Sequence, residues 1–230
     1  MNIHQITDLH IPDENVTEEQ YLHVRENVRR QLDYTNKTKP DLLVVSGDLT
    51  MNDACESGCL WLRDQLPDIP VIVIPGNHDE PEMIKRLFGE WPWRQDYEDC
   101  SIVFLDTSPD LMSKEDMSNL QAAESEAPCI LFMHHPPHRI GTGFMTINQP
   151  LLNCDESAAA ISNSIVEHVF CGHYHNEAEI LCDKFMLYLT PSPAFQISLN
   201  VAQFSMESFV PSVRTINVCE NQVTSELVFV

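Results

Sequence analysis

Positive charge is scarce in this chain. Thirteen Lys and Arg stand against 35 Asp and Glu over 230 residues, for a formal net charge of -22. That shortage argues against wrapping duplex DNA, where basic contacts to phosphate supply most non-specific affinity. It also argues against docking on an anionic membrane surface, which recruits basic clusters. No apolar run approaches the roughly 20 residues a bilayer-spanning helix needs. No basic segment followed by an apolar one opens the chain, so no signal peptide is expected and the location expected is cytoplasmic. Cys-x-x-Cys pairs, internal repeats, low-complexity stretches and linkers are missing too. The eight cysteines, Cys55, Cys59, Cys100, Cys129, Cys154, Cys171, Cys182 and Cys219, are therefore expected as reduced and mostly buried thiols. A Cys55–Cys59 metal or redox pair has no supporting context. Apolar residues make up 43%, enough for a folded core and too many for an acidic disordered tail.

What is present is a series of short, often β-branched apolar runs: Ile3–Ile6, Leu42–Val45, Val71–Ile74, Ile102–Leu105, Ile130–Met133 and Val166–Phe170. These read as strands buried inside a layered α/β sheet. Helices are expected over Thr17–Asn36 with Thr17 as N-cap, and over Asp53–Gln65, Glu80–Phe88 and Ser113–Ala123. After Tyr174 the segments Ala178–Cys182, Phe185–Leu189, Phe195–Leu199, Val213–Cys219 and Val223–Val228 read as mostly antiparallel strands, the last two joined by a turn at Glu220-Asn221-Gln222. The fold class expected is α/β: two sheets face to face with helices outside.

Five of the runs end alike. Ile3–Ile6 leads to Asp8-Leu9-His10, Leu42–Val45 to Gly47-Asp48, and Val71–Ile74 to Gly76-Asn77-His78-Asp79. Ile130–Met133 leads to His134-His135-Pro136-Pro137, and Val166–Phe170 to Gly172-His173-Tyr174-His175. Ligands of open α/β sheets bind outside the carboxyl ends of the strands, so parallel strands would bring these five exits to one cavity. Gly47, Gly76 and Gly172 precede the polar residues and permit sharp turns there. Any one piece has an ordinary structural explanation; five at strand exits do not share one.

Asp and His favour Zn, Mn, Fe, Co or Ni, and the absence of Cys among them argues against a structural zinc knuckle. Asp8, His10, Asp48, Asn77, His134, His173 and His175 are too many for one ion and suit two, bridged by a carboxylate. Two divalent ions, less the charges of Asp8, Asp48 and a bridging hydroxide, leave about one net positive charge, which suits a diester monoanion.

The series Asp8-Leu9-His10, Gly47-Asp48, Gly76-Asn77-His78-Asp79, His134 and Gly172-His173-Tyr174-His175 resembles the signature of the calcineurin-like metallophosphoesterases. Within them the chain is most similar to the class III cyclic nucleotide phosphodiesterases of the bacterial cyclic-AMP type, through Phe132-Met133-His134-His135-Pro136-Pro137, Leu152-Asn153, Thr190-Pro191-Ser192 with Phe195-Gln196, and the tail around Pro211-Ser212-Val213-Arg214. It departs at Thr146 after Met145, in the short segment from Leu105 to Cys129, and at Ser192–Phe195, all outside the metal set. The resemblance implies a four-layer sandwich, two facing mixed sheets flanked by helices, with residues 1–230 as one domain. It places Asp8, His10 and His175 on one ion and Asn77, His134 and His173 on the other, with Asp48 bridging. His78 matches a catalytic histidine that is not a ligand. Asn77, His78 and Asn153 are substrate-contact candidates.

The activity implied is hydrolysis of a small phosphodiester, first 3′,5′-cyclic AMP to 5′-AMP, by attack of a metal-bridging hydroxide. The cofactors are two divalent or di/trivalent ions such as Fe, Mn or Zn. A glycerophosphodiester or another nucleotide phosphoester is the alternative substrate. A nuclease would need a basic surface and a capping domain, and a metal-free scaffold would show broken ligands; the chain has none of these. No nucleic-acid or membrane partner is expected. The oligomeric state, homodimer included, is left open. His135 is weighed as facing substrate or supporting ligands, Asp79 as orienting His78 or shaping a turn, and Trp91 and Trp93 as a nucleobase wall or packing.

Overall fold

The backbone alternates one layer outward and one inward along almost every central strand. In the computed structural model, which describes residues 1–13, 21–52 and 55–230, β1 (Asn2–Ile6), β2 (Leu42–Ser46) and β3 (Val71–Ile74) run parallel. β12 (Ser212–Cys219) lies antiparallel to β1 on its other edge, and β13 (Gln222–Phe229) pairs antiparallel with β12. The order in this first sheet is β13-β12-β1-β2-β3. The second sheet runs β4-β5-β6-β7-β9-β8, from β4 (Arg94–Asp96), β5 (Ser101–Phe104), β6 (Cys129–Phe132), β7 (Val166–Cys171), β8 (Ala178–Cys182) and β9 (Phe185–Leu189). There β5, β6, β7 and β9 are parallel, while β4 and β8 are antiparallel edges. A two-stranded ribbon, β10 (Gln196–Ile197) with β11 (Met206–Ser208), completes the strands.

The period of two distributes side chains between layers. Leu42 and Val44 of β2 point into the space between the sheets with Ile130 and Phe132 of β6; Leu43 and Val45, and Cys129 and Leu131, point the other way. Between the sheets, Phe104, Phe132, Phe170 and Tyr188 form a stacked ladder across β5, β6, β7 and β9, with centroid spacings of 5.8, 5.4 and 4.5 Å. Offset stacking of this kind adds stability beyond burial alone.

Outside the first sheet pack α1 (Val24–Thr38), α2 (Glu56–Gln65) and α3 (Pro81–Phe88); outside the second pack α4 (Lys114–Ala122), α5 (Phe144–Asn148) and α6 (Cys154–Ser162). The four-layer sandwich is therefore as expected. Val24, Val28 and Leu32 form the buried stripe of α1. The Glu80 carboxylate caps α3 by accepting from Glu82 and Met83 N–H, and Ser113 Oγ caps α4 by accepting from Asp116 N–H.

Four details differ from the expectations. α1 begins at Val24 with His23 as its N-cap, while Thr17, expected as N-cap, and Asp53 lie outside the described residues. β9 is parallel to β7, so the region after Tyr174 is not uniformly antiparallel. The Phe195–Leu199 segment keeps strand geometry only over Gln196–Ile197. Helices α5 and α6 were not anticipated, because α5 is barely one turn and the small side chains of Ser157–Ala160 carry little periodicity. Among the described residues no helix is long and apolar enough to cross a membrane. All eight cysteines are free, and Cys59, Cys100, Cys129, Cys154 and Cys171 are buried. Burial pushes the Cys59 and Cys129 thiols up to about 12, which makes them inert at neutral pH.

Candidate metal centre

All five strand exits open at one end of the sandwich. β1, β2 and β3 deliver Asp8, His10, Asp48, Asn77 and His78 from the first sheet; β6 and β7 deliver His134, His173 and His175 from the second. The exits are tied together by backbone bonds: Asp8 N to Gly47 O and His10 N to Asp48 O, both 3.0 Å, and Gly172 N to His134 O, 3.0 Å. Five of the seven candidate ligands have left-handed backbones, with φ of 52° at Asp8, 41° at His10, 52° at Asp48, 63° at His173 and 56° at His175. Such conformations cost about 1–3 kcal/mol each in a non-glycine residue and persist where surrounding structure over-determines them. The sequence carried no signal for this. At Gly172 a Cβ would fall on the Asp8 carboxylate and the Thr7 hydroxyl, so the exit loop reaches Asp8 only because that position is glycine.

Asp8, His10, Asp48 and His175 form one tight cluster, and His134 and His173 belong to a second with His135. His10 Nε2 lies 2.9 Å from His175 Nε2, and His175 Nε2 lies 3.4 Å from Asp8 Oδ1. Asp48 Oδ2 stands between the clusters, 3.6 Å from His10 Nε2 and 3.4 Å from His134 Nε2. Its other oxygen accepts from His78 N–H at 3.0 Å.

Hydrogen bonds on the far side of each ring select the tautomer. His134 Nδ1 donates to Ser46 O (2.8 Å), His173 Nε2 to Gln149 O (2.8 Å) and His175 Nδ1 to Phe195 O (3.0 Å). In the neutral rings the remaining nitrogens are lone pairs, and those of His134 and His175 face the carboxylates. Eight buried side-chain atoms have no hydrogen-bond partner among the described residues, and three of them are here: His134 Nε2, Asn77 Oδ1, and His135 Nε2, which lies 3.0 Å from Asp110 Oδ1. Buried polar atoms are ordinarily paired, so lone pairs left empty in a carboxylate-lined pocket fit a cation. The electrostatics agree. Burial lifts the Asp8 carboxyl despite the nearby His175 and His134. Burial alone would also lift Asp48, but His134, His10 and His78 outweigh it and hold it well below the carboxylate range. His134 is lowered by burial yet raised on balance to about 10 by Asp48 and Asp8, so the carboxylates favour a positive charge at its Nε2, carried by a proton where no metal ion supplies it. Burial drives His10 and His173 well below the imidazole range, and lowers His175.

A cavity of about 450 Å³ opens over these groups. Its lining combines His10, Asp48, Asn77, His78, His173 and His175 with Tyr21, Met51, Met145, Gln149, Phe195, Ile197 and Phe204. No Lys or Arg is among the described lining residues. Phe195 touches both kinds of lining, its ring 4.7 Å from that of His175 and 6.1 Å from that of Phe204. The sequence marks Phe195 as the start of a strand and by its resemblance segment; nothing in it marks Met51, Met145 or Phe204 as cavity residues.

Other candidates fall outside the cavity. Asn153 is spent on a loop clamp: its Oδ1 accepts from Met112 N–H and its Nδ2 donates to Met112 O. His135 is fully buried between Thr107 Oγ1 and Asp110, at 3.0 Å from each, with its ring 4.1 Å from that of His173. Asp79 receives Gly76 N–H (2.9 Å) and Leu49 N–H (3.1 Å), which ties the β3 exit to the β2 exit. Trp91 and Trp93 pack against the core layers.

Residues 1–177 match the family described as calcineurin-like phosphoesterase. A probable cyclic nucleotide phosphodiesterase of Fibrobacter succinogenes is 33% identical over 242 aligned residues, covering 100% of this chain and 94% of that protein. A probable glycerophosphodiester phosphodiesterase of Arcobacter nitrofigilis is 30% identical, covering 77% and 73%. A dimetal phosphatase from Danio rerio shares the fold with a TM-score of 0.71 at 12% identity, over 99% of this chain and 95% of that one. With its five strand exits gathered around one ligand-lined cavity and its sequence matched over three quarters of its length, the chain belongs to the calcineurin-like phosphoesterase family.

Proposed function

We propose that this phosphoesterase is a binuclear, metal-dependent phosphodiesterase of small diesters, with 3′,5′-cyclic AMP as substrate and 5′-AMP as product. The observation that carries the reading is the mixed lining of one cavity: metal-capable side chains together with the aromatic rings of Tyr21, Phe195 and Phe204. That pairing suits a phosphate joined to a flat nucleobase. A glycerophosphodiester offers little to the aromatic rings; it stays as the second reading because the Arcobacter relative carries that description. Residues 1–230 act as one domain, in the cytoplasm.

Asp8, His10 and His175 would hold one ion and Asn77, His134 and His173 the other, with Asp48 between them. Bound there, two ions such as Fe, Mn or Zn would supply Lewis acidity toward a phosphate oxygen and an acidified water. The chain's own residues do the rest. The Ser46, Gln149 and Phe195 carbonyls keep the protons of His134, His173 and His175 on the outward nitrogens. His78, in the cavity wall with its N–H on Asp48, protonates the leaving oxygen or stabilises its charge. Phe195 and Phe204 exclude water from one side of the substrate. With no Lys or Arg among the described lining residues, the cavity suits a monoanionic diester better than a dianionic monoester.

The test is elemental analysis of protein purified without chelator, then turnover of cyclic AMP, a glycerophosphodiester and an aryl diester with Mn or Fe added. Two ions and preference for cyclic AMP are expected; two ions with no diester hydrolysed would overturn the reading.

A further inference from the structure

The candidate ligands come from two sheets, so their spacing depends on how one sheet sits over the other. Most of the layer between the sheets is apolar, and apolar contacts tolerate repacking. A line of polar side chains crosses that layer. It starts at Arg214 on β12, the largest fully buried side chain in the protein. From the first sheet its guanidinium reaches into the second in three directions: Nη2 donates to Leu189 O (2.8 Å), Nε to Thr190 Oγ1 (2.9 Å) and Nη1 to Glu179 Oε1 (3.0 Å). The line then returns. Thr190 Oγ1 donates to Gln5 Oε1 on β1 (2.6 Å), and Gln5 Nε2 donates to Ser46 Oγ at the end of β2 (2.8 Å). Ser46 O is the acceptor that orients His134, and it also receives Thr7 Oγ1 (3.0 Å). Gln5, Thr7, Ser46, His134, Thr190 and Arg214 are all 0% exposed.

Every group in this line has a fixed sense. Thr190 accepts from Arg214 and donates to Gln5, which orients the Gln5 amide, which in turn engages Ser46. A slip of one sheet over the other would leave several buried donors and acceptors unpaired, each at substantial cost. A lysine would supply the charge but not the fork. We propose that Arg214 is a positioning residue: through Thr190, Gln5 and Ser46 it sets the registry of the two sheets, and so the distance between the two ligand sets. This rests on the ligand assignment given above. The second ion would feel it most, because Asn77 and Asp48 come from one sheet and His134 and His173 from the other. The first ion has Asp8, His10 and Asp48 from one sheet and only His175 from the second.

The experiment uses the full chain with Mn²⁺ as probe, both affinities being read by competition with a chromophoric chelator, alongside thermal unfolding. Arg214→Met removes the guanidinium and leaves the Leu189 carbonyl and the Thr190 hydroxyl without that donor, so some loss of thermal stability is expected with it. Expected is a near-normal first ion, a second ion weakened about 10-fold, as for other outer-sphere partners of metal ligands, and lower kcat at similar KM. Arg214→Lys should give an intermediate result, and Thr190→Val the same asymmetry more mildly. Wild-type affinity for both ions in Arg214→Met overturns the proposal, as does equal weakening of both ions in step with lost thermal stability. Should Arg214→Met fail to fold, Thr190→Val decides: an unchanged second ion overturns it. If the wild-type chain itself takes up fewer than two ions, the ligand assignment has failed, and this inference falls with it.

Discussion

His10 and His175 aim their Nε2 atoms at each other across 2.9 Å, though 165 residues separate them in the chain. Since His175 Nδ1 donates to a carbonyl, its Nε2 offers a lone pair, and a proton or a cation must lie between the two rings. Metal addition should therefore stabilise the fold. At 100 times the dissociation constant the gain is about 2.7 kcal/mol, readable as a rise in Tm with Mn²⁺ or Zn²⁺ that chelator reverses. His175→Ala should lose most of the rise and Asp48→Asn should weaken both ions; a Tm indifferent to metal in the wild-type chain would count against the whole site.

Removal of the His78 side chain separates chemistry from binding. The ring lines the cavity, whereas its backbone N–H, which stays in His78→Ala, holds Asp48. Turnover should drop about 10²–10⁴-fold, the usual worth of general acid help, with two ions still bound. Loss of both ions together with activity would make the residue structural instead.

Gly172→Ala tests the close approach of the β7 exit to Asp8. The added methyl would fall on the Asp8 carboxylate, which also accepts His173 N–H at 2.9 and 3.0 Å. The expected outcome is at least one ion lost by elemental analysis and a drop in kcat/KM of more than about 100-fold, corresponding to roughly 2.7 kcal/mol. Normal metal content would show that the loop can yield.

His4 predicts an acid-sensitive stability far from the site. It is buried on β1, its Nδ1 lies 3.1 Å from Thr35 Oγ1, and burial lowers its pKa to about 4. With an unfolded value near 6.5, the unfolded chain binds more protons between those limits, so this contribution is whole above about pH 6.5 and is lost as pH falls toward 4. Between pH 7.5 and 5.0 the loss is about 2 kcal/mol. Urea unfolding at the two pH values should show it, and His4→Gln should flatten the difference. Equal slopes in the two proteins would remove His4 as the cause.

The sheet order around the site was largely legible, because six apolar runs and their polar exits are local signals that parallel packing makes coincide. Asp8, His10, Asp48 and His175 gather in one cluster and His134 and His173 in another, with Asn77 in the cavity wall beside them, while His135 joins the second cluster without having been read as a ligand. Less legible was everything set by long-range closure. The left-handed backbones at five ligands have no marker in the local residue pattern. The apolar wall is assembled from Tyr21, Met51, Met145 and Phe204, which share no period. Asn153 looked like a substrate contact by its place in a segment, yet its amide is committed to Met112 on a neighbouring loop. His135 was ambiguous because only the folded chain brings Thr107 and Asp110 to its two ring nitrogens.

The position of β1 carries a consequence for how the protein is made. β1 lies in the interior of its sheet, between β2 and β12, and β12 begins only at Ser212. At about 5–20 residues per second, one edge of β1 waits through the synthesis of everything from β2 to β11 before its partner emerges. A chain stopped after residue 177, though it would carry every candidate ligand, would leave that edge unpaired and open to other strands. Translation through β12 is thus a condition for pairing both edges of β1, and versions that stop before it should collect in aggregates.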